Sequence, residues 1–262
     1  MLEVANLLLP TLMALWWPFC RIMAMLSTAP VIGEGMVPIP VRVLLSVVLA
    51  FLMLPITKVA AMPDPFSLAG VVTMIEQAVI GGVIGLALQL TMAVVSMLGF
   101  LASSQIGFSM AQMNDPVNGQ QSDVVSALLG LVSMLVFFAI DGHLVLAGVM
   151  GQSFRAWPVG GGFGPMLLET VALNVGWVFS AAVLLALPIV FSTLVVQIGF
   201  GFLNRVAPSL NLFSLGFSLV TLFGLMMLVQ VVRFVPEHYV QMTNQVLEML
   251  QQQMTMAHGG RI

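Results

Sequence analysis

Charge is what this sequence has least of. Only 6% of its 262 residues are Asp, Glu, Lys or Arg, against about 25% in an ordinary soluble domain, so a water-facing surface cannot be built from it. Seven Lys plus Arg against ten Asp plus Glu give a formal charge of −3, with no basic run. Following a phosphate backbone takes a row of cations, which argues against nucleic acid as a partner. Cys20 is the one cysteine, which excludes an intramolecular disulfide and a cysteine cluster for zinc. There is no GxSxG elbow, no HExxH and no pair of histidines at ligand spacing. No catalytic residue, metal ligand or cofactor is assigned. What remains is 60% hydrophobic, with a mean hydropathy of +1.11, the composition of an all-α, membrane-associated protein. The N-terminus carries Glu3 and no Lys or Arg before its apolar stretch, so it reads as a retained first helix and not as a signal peptide.

A helix that crosses a bilayer needs about 20 mostly apolar residues. Six stretches qualify, near 4–29, 41–62, 70–105, 124–150, 166–203 and 212–235. They predict about six long apolar helices, some kinked, arranged as hairpins in a single domain over 1–262. Turn clusters separate them: Pro30, Gly33, Gly35, Pro38 and Pro40; Pro63, Asp64 and Pro65; Asn114, Asp115, Pro116, Asn118 and Gly119. A glycine-rich connector from Gly151 to Pro165 lacks the order of a phosphate-binding loop and reads as a flexible linker. From Pro236 to about residue 257 the texture becomes amphipathic, with Val240, Leu247, Leu250 and Met254 on one helical face. That tail is expected to be a separate surface helix.

Three details fit a plain six-span bundle poorly. The uncharged stretches Gln77 to Asn114 and Thr170 to Asn204 are each roughly 50 Å or more as helix, against a hydrocarbon core of about 30 Å. Arg21 lies deep in the first apolar stretch, where facing lipid costs about 2.5 to 3.5 kcal/mol, so it is expected to face protein or water. The few cations distribute too evenly over alternate loops to set an orientation.

Few residues stand out for function. Gly81 and Gly85 are four apart in an apolar helix, which lets another backbone approach closely. Asp141 and His143 flank a glycine at the end of the fourth stretch; a polar turn is the favoured interpretation, and a proton relay with Glu76 the sharper one. The segment GFSMAQMNDPVNGQQ, Gly107 to Gln121, sets Phe108, Met110 and Met113 beside Asn114, Asp115 and Pro116 in a loop between two strongly apolar helices. Irregular backbone at membrane depth is tolerated only inside protein or beside a water-filled cavity. This loop is therefore the candidate pore constriction, with Met and Phe side chains that can seal and move aside.

The segment RVAPSLNLFSLGFSL, Arg205 to Leu219, resembles the Arg-x-x-Pro-x-Leu-Asn-x-Phe-x-x-Gly-Phe pattern of the FliR family of flagellar export proteins, through Arg205, Pro208, Leu210, Asn211, Phe213, Gly216 and Phe217. Ser209 and Ser218 depart from the residues more often expected there. Arg21, Ala29, Pro30, Val31, Gly33, Pro38 and Arg42 are similar to the family's first hairpin, and Gly107, Asp115, Pro116 and the Asp141–Gly142–His143 turn follow in the expected order. The resemblance implies a subunit of the type III protein export gate in the bacterial inner membrane, within the flagellar basal body, that catalyses no reaction. It implies packing with FliP and FliQ, alongside FlhB, around a conduit for unfolded flagellar proteins, and it makes Ile106 to Ser122 a plug loop beneath a methionine ring of FliP. Arg21 and Arg205 would then serve assembly, paired with acids or helix-end carbonyls of neighbouring subunits. A competing expectation is a small-molecule or ion transporter with broken helices, suggested by Pro188 and Gly199 in the long fifth stretch.

Overall fold

Long uncharged runs of Leu, Val, Met and Ala bounded by proline and glycine favour helices, and the computed structural model of the chain, which describes residues 2–33, 37–57, 63–108, 113–114, 121–162, 165–206 and 212–259, is all-α. Its elements are α1 Leu2–Thr28, α2 Ile39–Met53, α3 Leu68–Ile106, α4 Val124–Ala139, α5 Gly142–Ala156, α6 Pro165–Val206 and α7 Leu212–Gly259. One short antiparallel pairing, β1 Met113–Asn114 with β2 Gln121–Ser122, lies between α3 and α4.

Local chemistry explains the ends. Pro38 precedes α2 and Pro40 sits in its first turn, where the absent N–H would have no intrahelical acceptor anyway. Asp123 caps α4, its carboxylate accepting from the Ser126 amide at 3.0 Å. After α1 the chain turns through Ala29 to Gly33, the Gly33 amide donating to the Ala29 carbonyl. That turn holds Val31 at φ 66°, a left-handed conformation that is strained for a β-branched residue. The buried Val31 side chain helps to hold it there.

The helices do not follow the six apolar stretches one for one. Among the described residues α3, α6 and α7 are long and apolar enough to span a membrane, and α4 with α5 would add one broken span. The stretch at 41–62 contracts to the 15-residue α2, about 22 Å and short of the roughly 30 Å core. By contrast α6 has 42 residues and α7 has 48, about 63 and 72 Å at about 1.5 Å per residue.

Two expectations are corrected here. The C-terminal tail is no separate element, because α7 runs unbroken through Pro236; a proline inside an apolar helix is accommodated when neighbours and local adjustment satisfy the freed carbonyl. Its buried face is Tyr239, Met242, Val246, Leu250 and Met254, while Val240 and Leu247 are half-buried at its edge. Nor do Pro188 and Gly199 break α6, which is continuous from Pro165 to Val206.

The chain divides into two compact units. Unit 1 comprises Met1–Leu90, Asp141–Asn174 and Thr243–Ile262; unit 2 comprises Thr91–Ile140 and Val175–Met242. Fully buried Trp17, Ile22, Met25, Ile80, Ile84 and Leu250 belong to the core of unit 1, and Leu98, Ile106, Leu129 and Ile189 to that of unit 2.

Candidate functional site

In unit 1 the polar centre is Arg21, completely buried. An arginine brings five N–H donors and a permanent charge, so its burial is tolerable only if acceptors surround it. They do. Nε donates to Gln77 Oε1 of α3 at 2.8 Å, one terminal nitrogen donates to the Ser153 carbonyl at 2.9 Å and its hydroxyl at 3.3 Å, and the other donates to the Trp157 carbonyl at 2.7 Å. The guanidinium carbon also lies 4.3 Å from the centre of the Phe154 ring, a cation–π contact that favours charge in a dry site. Ser153 and Trp157 are at the C-terminal end of α5, where the carbonyls carry partial negative charge; the Ser153 carbonyl also accepts from the Trp157 amide at 2.9 Å. Arg21 therefore acts as a C-terminal cap delivered from another helix. The helix-end carbonyls it meets are those of its own chain, not of neighbouring subunits.

The approach of α3 to α1 depends on absent side chains. A Cβ at Gly81 would collide with the Arg21 carbonyl, and one at Gly85 with the Thr28 hydroxyl and, at 2.5 Å, the Met25 carbonyl. Between them the Gly82 carbonyl accepts from the Thr28 hydroxyl at 3.0 Å. Small residues four apart thus bring the backbones together and place Gln77, one turn before Gly81, against Arg21.

The connector after α5 is held in shape at several points and is no loose linker. Trp157 is buried with its carbonyl on Arg21, the Gly161 amide donates to the Pro158 carbonyl, and the Gly162 amide donates to Glu76 Oε1 at 3.1 Å. Gly160 and Gly162 both adopt φ 73°, which glycine enters without a Cβ penalty.

Unit 2 holds the roots of the loop between α3 and α4. At the first root α3 ends at Ile106, and Gly107 turns the chain with φ 90°. The Ile106 carbonyl accepts from the Thr221 hydroxyl of α7 at 3.1 Å. A Cβ on Gly224 would come within 2.6 Å of the Ile106 side chain, and one on Gly107 within 2.9 Å of the Phe217 ring. One residue earlier in α3, Gln105 Oε1 accepts from the Thr193 hydroxyl of α6 at 3.4 Å. At the second root, the Ser126 hydroxyl lies 2.8 Å from Asp123 Oδ2 and 3.1 Å from the Ser96 carbonyl of α3, its one proton shared between the two acceptors. A Cβ on Gly99 would strike the Ser126 backbone. The pairing of Met113 with Ser122 and of Asn114 with Gln121 makes the loop a hairpin between fixed ends.

Phe108 is half-buried directly after Gly107. The backbones of Met113 and Asn114 form β1, whereas Met110, Asp115, Pro116, Pro208 and Asn211 lie outside the described residues. Asp141 and His143 are exposed at the junction of α4 and α5. Asp141 takes the left-handed φ of 54° that separates the two helices, and its side chain makes no capping bond, a conformation that aspartate tolerates better than most residues. Arg205 is exposed in the last turn of α6. A Cβ on Gly216 of α7 would lie 3.6 Å from the Phe200 ring of α6, and Phe213 lies in the first turn of α7. Among the described residues no three His, Cys, Asp or Glu side chains are grouped to hold a metal. Sequence reasoning missed Gln77, Ser153, Trp157, Ser126 and Thr221, because their partners are up to 136 residues away and no motif marks them.

The family described as "Bacterial export proteins, family 1" matches residues 12–246, a range that takes in both the Arg21 node and the rooted hairpin. The chain is 33% identical to the flagellar biosynthetic protein FliR of Pectobacterium carotovorum subsp. carotovorum over 238 residues, 90% of each chain. The chain belongs to the FliR family of bacterial export proteins. Other FliR proteins similar to it are those of Escherichia coli (strain K12), 30% identical over 213 residues and 80% of each chain, and Bacillus subtilis (strain 168), 26% identical over 219 residues, 80% of this chain and 83% of that one. Membership of the FliR family agrees with the apolar helices: the chain is a membrane protein of flagellar biosynthesis.

Proposed function

We propose that the chain is a structural and gating subunit of the flagellar type III protein export channel. In this role the whole of 1–262 acts as one export-gate domain in the inner membrane, within the basal body. It packs with FliP, FliQ and FlhB-like subunits around a conduit for unfolded flagellar proteins, and it catalyses no reaction. The observation that carries the proposal is the imbalance between apolar surface and bilayer thickness. In the most apolar windows of α6 and α7 only 28% and 17% of residues are buried, against 67% in α3. The uncharged part of α6 alone, Thr170 to Asn204, is roughly 50 Å long and exceeds a hydrocarbon core of about 30 Å, and an all-round apolar helix is normally buried. Other protein subunits supply the missing cover.

The hairpin between α3 and α4 serves as the plug. Phe108, Met110 and Met113 form an apolar, deformable seal that excludes water when packed and yields to a chain of any sequence, with Asn114, Asp115 and Pro116 following them in the sequence. Arg21, Gly81 and Gly85 shape unit 1 for assembly, and Arg205, Pro208, Asn211, Phe213 and Gly216 shape the α6–α7 junction. Asp141 and His143 form a polar helix junction. The transporter alternative loses its main support, since Pro188 and Gly199 lie within a continuous α6.

Gentle detergent purification tests the proposal. The chain is expected to arrive with several copies of two small hydrophobic partners; recovery alone, with transport activity in vesicles, overturns it.

A further inference from the structure

Unit 1 holds a cleft of about 410 Å³ lined by Gln152, Arg155 and Ala156 of α5 and Gln251, Met254 and Thr255 of α7. Its floor is apolar, since Ala156 and Met254 are buried, and its rim is polar and exposed. The side chains of Arg155, Gln152 and Gln251 form no hydrogen bond or ion pair with any described residue. None of the lining residues is acidic. The rim thus offers a guanidinium fork and two carboxamides, donors matched to a phosphate's oxygens, while the Thr255 hydroxyl already donates to the Gln252 carbonyl at 2.8 Å.

We propose that this cleft binds the phosphate headgroup of an anionic phospholipid. Arg155 clasps the phosphate, the Gln152 and Gln251 amides complete its hydrogen bonds, and Met254 with Ala156 underlies the glycerol carbons. Three observations favour a lipid. The volume suits a small group and not a protein segment. The apolar floor beneath donors fits an amphipathic ligand better than free phosphate. Arg155 stands in the last turn of α5, the end of an apolar helix pair that qualifies as a broken span, and basic side chains at such ends meet headgroups. The proposal is independent of the export role.

Native mass spectrometry of the full chain in neutral detergent, titrated with phosphatidylglycerol, phosphatidylethanolamine or inorganic phosphate, tests it. The expected result is a saturable phosphatidylglycerol adduct, weaker binding of phosphatidylethanolamine, and about tenfold weaker phosphatidylglycerol binding in Arg155→Gln, near 1.4 kcal/mol. Arg155→Lys should keep part of the affinity because it retains charge without the fork. The exposed Arg233→Gln serves as the control for loss of any cation and should bind as the parent does. Equal binding of both lipids, or no effect of Arg155→Gln, overturns the proposal. So does displacement of the adduct by inorganic phosphate at comparable concentration, which would assign a free-anion site. Unchanged lipid binding with loss of protein partners in Arg155→Gln also overturns it, in favour of a partner carboxylate.

Discussion

Arg21 Nη2 donates to the Trp157 carbonyl at 2.7 Å, joining the first helix to the residue that ends the fifth. The bond does more than tie distant segments together. It gives a charge inside an apolar helix a set of fixed dipoles, so Arg21 resides in protein, away from lipid. The same contact holds the start of the glycine-rich connector, which Glu76 then catches at Gly162.

Replacing Arg21 with Leu should remove the guanidinium donors from the α5 end, so that the Trp157 carbonyl loses its bond to Arg21 and the Ser153 carbonyl keeps only that to the Trp157 amide. The expected cost is about 3 kcal/mol or more, since hydrogen bonds to a charged group are each about 1.5 to 3 kcal/mol. Thermal unfolding of the purified chain in detergent, without partners, measures it. An unchanged Tm for Arg21→Leu would mean that the node does not stabilise the fold. Arg21→Lys should recover only part, because an ammonium cannot reach Gln77, Ser153 and Trp157 at once.

Gly81 and Gly82 are neighbours with opposite expectations. Gly81→Ala forces α3 away from the Arg21 carbonyl, whereas a Cβ at Gly82 meets nothing within 4 Å. Gly81→Ala should lower Tm clearly and Gly82→Ala should leave it level or raise it slightly, by the helix propensity gained. Equal shifts in the two variants would contradict close packing of α1 on α3.

Deleting residues 107–121 should let small ions leak through the assembled complex while the partners still co-purify, because the roots at Ile106 and Asp123 are held by Thr221 and Ser126 and not by the loop itself. Conductance across the membranes of cells carrying the deletion is the measurement. No added leak would sink the plug.

Asp123→Ala removes the cap of α4 and one of the two acceptors of the Ser126 hydroxyl. The expected loss is about 1 kcal/mol, visible as faster amide exchange in the first turn of α4, with Asp123→Asn retaining most of the protection. Exchange unchanged in Asp123→Ala would show that the Ser96 contact alone holds this root.

Membrane residence and helical content were legible in composition, because long uncharged apolar runs admit no other backbone that satisfies its own hydrogen bonds in lipid. Gly81 and Gly85 were legible as a close-packing pair from spacing alone, and the loop at 107–121 from turn residues between apolar helices. The tertiary structure decided what those features meet. Pro236 does not end a helix, since nothing in a local window reveals whether neighbours accommodate the missing N–H. Val240 and Leu247 yielded the buried face to Tyr239, Met242 and Val246, because a rotation of one residue changes a helical pattern little but changes its contacts wholly. Arg21 was marked by sequence as a charge needing partners; only the fold could name Gln77, Ser153 and Trp157, since burial partners are chosen by three-dimensional proximity across 56 to 136 residues of chain.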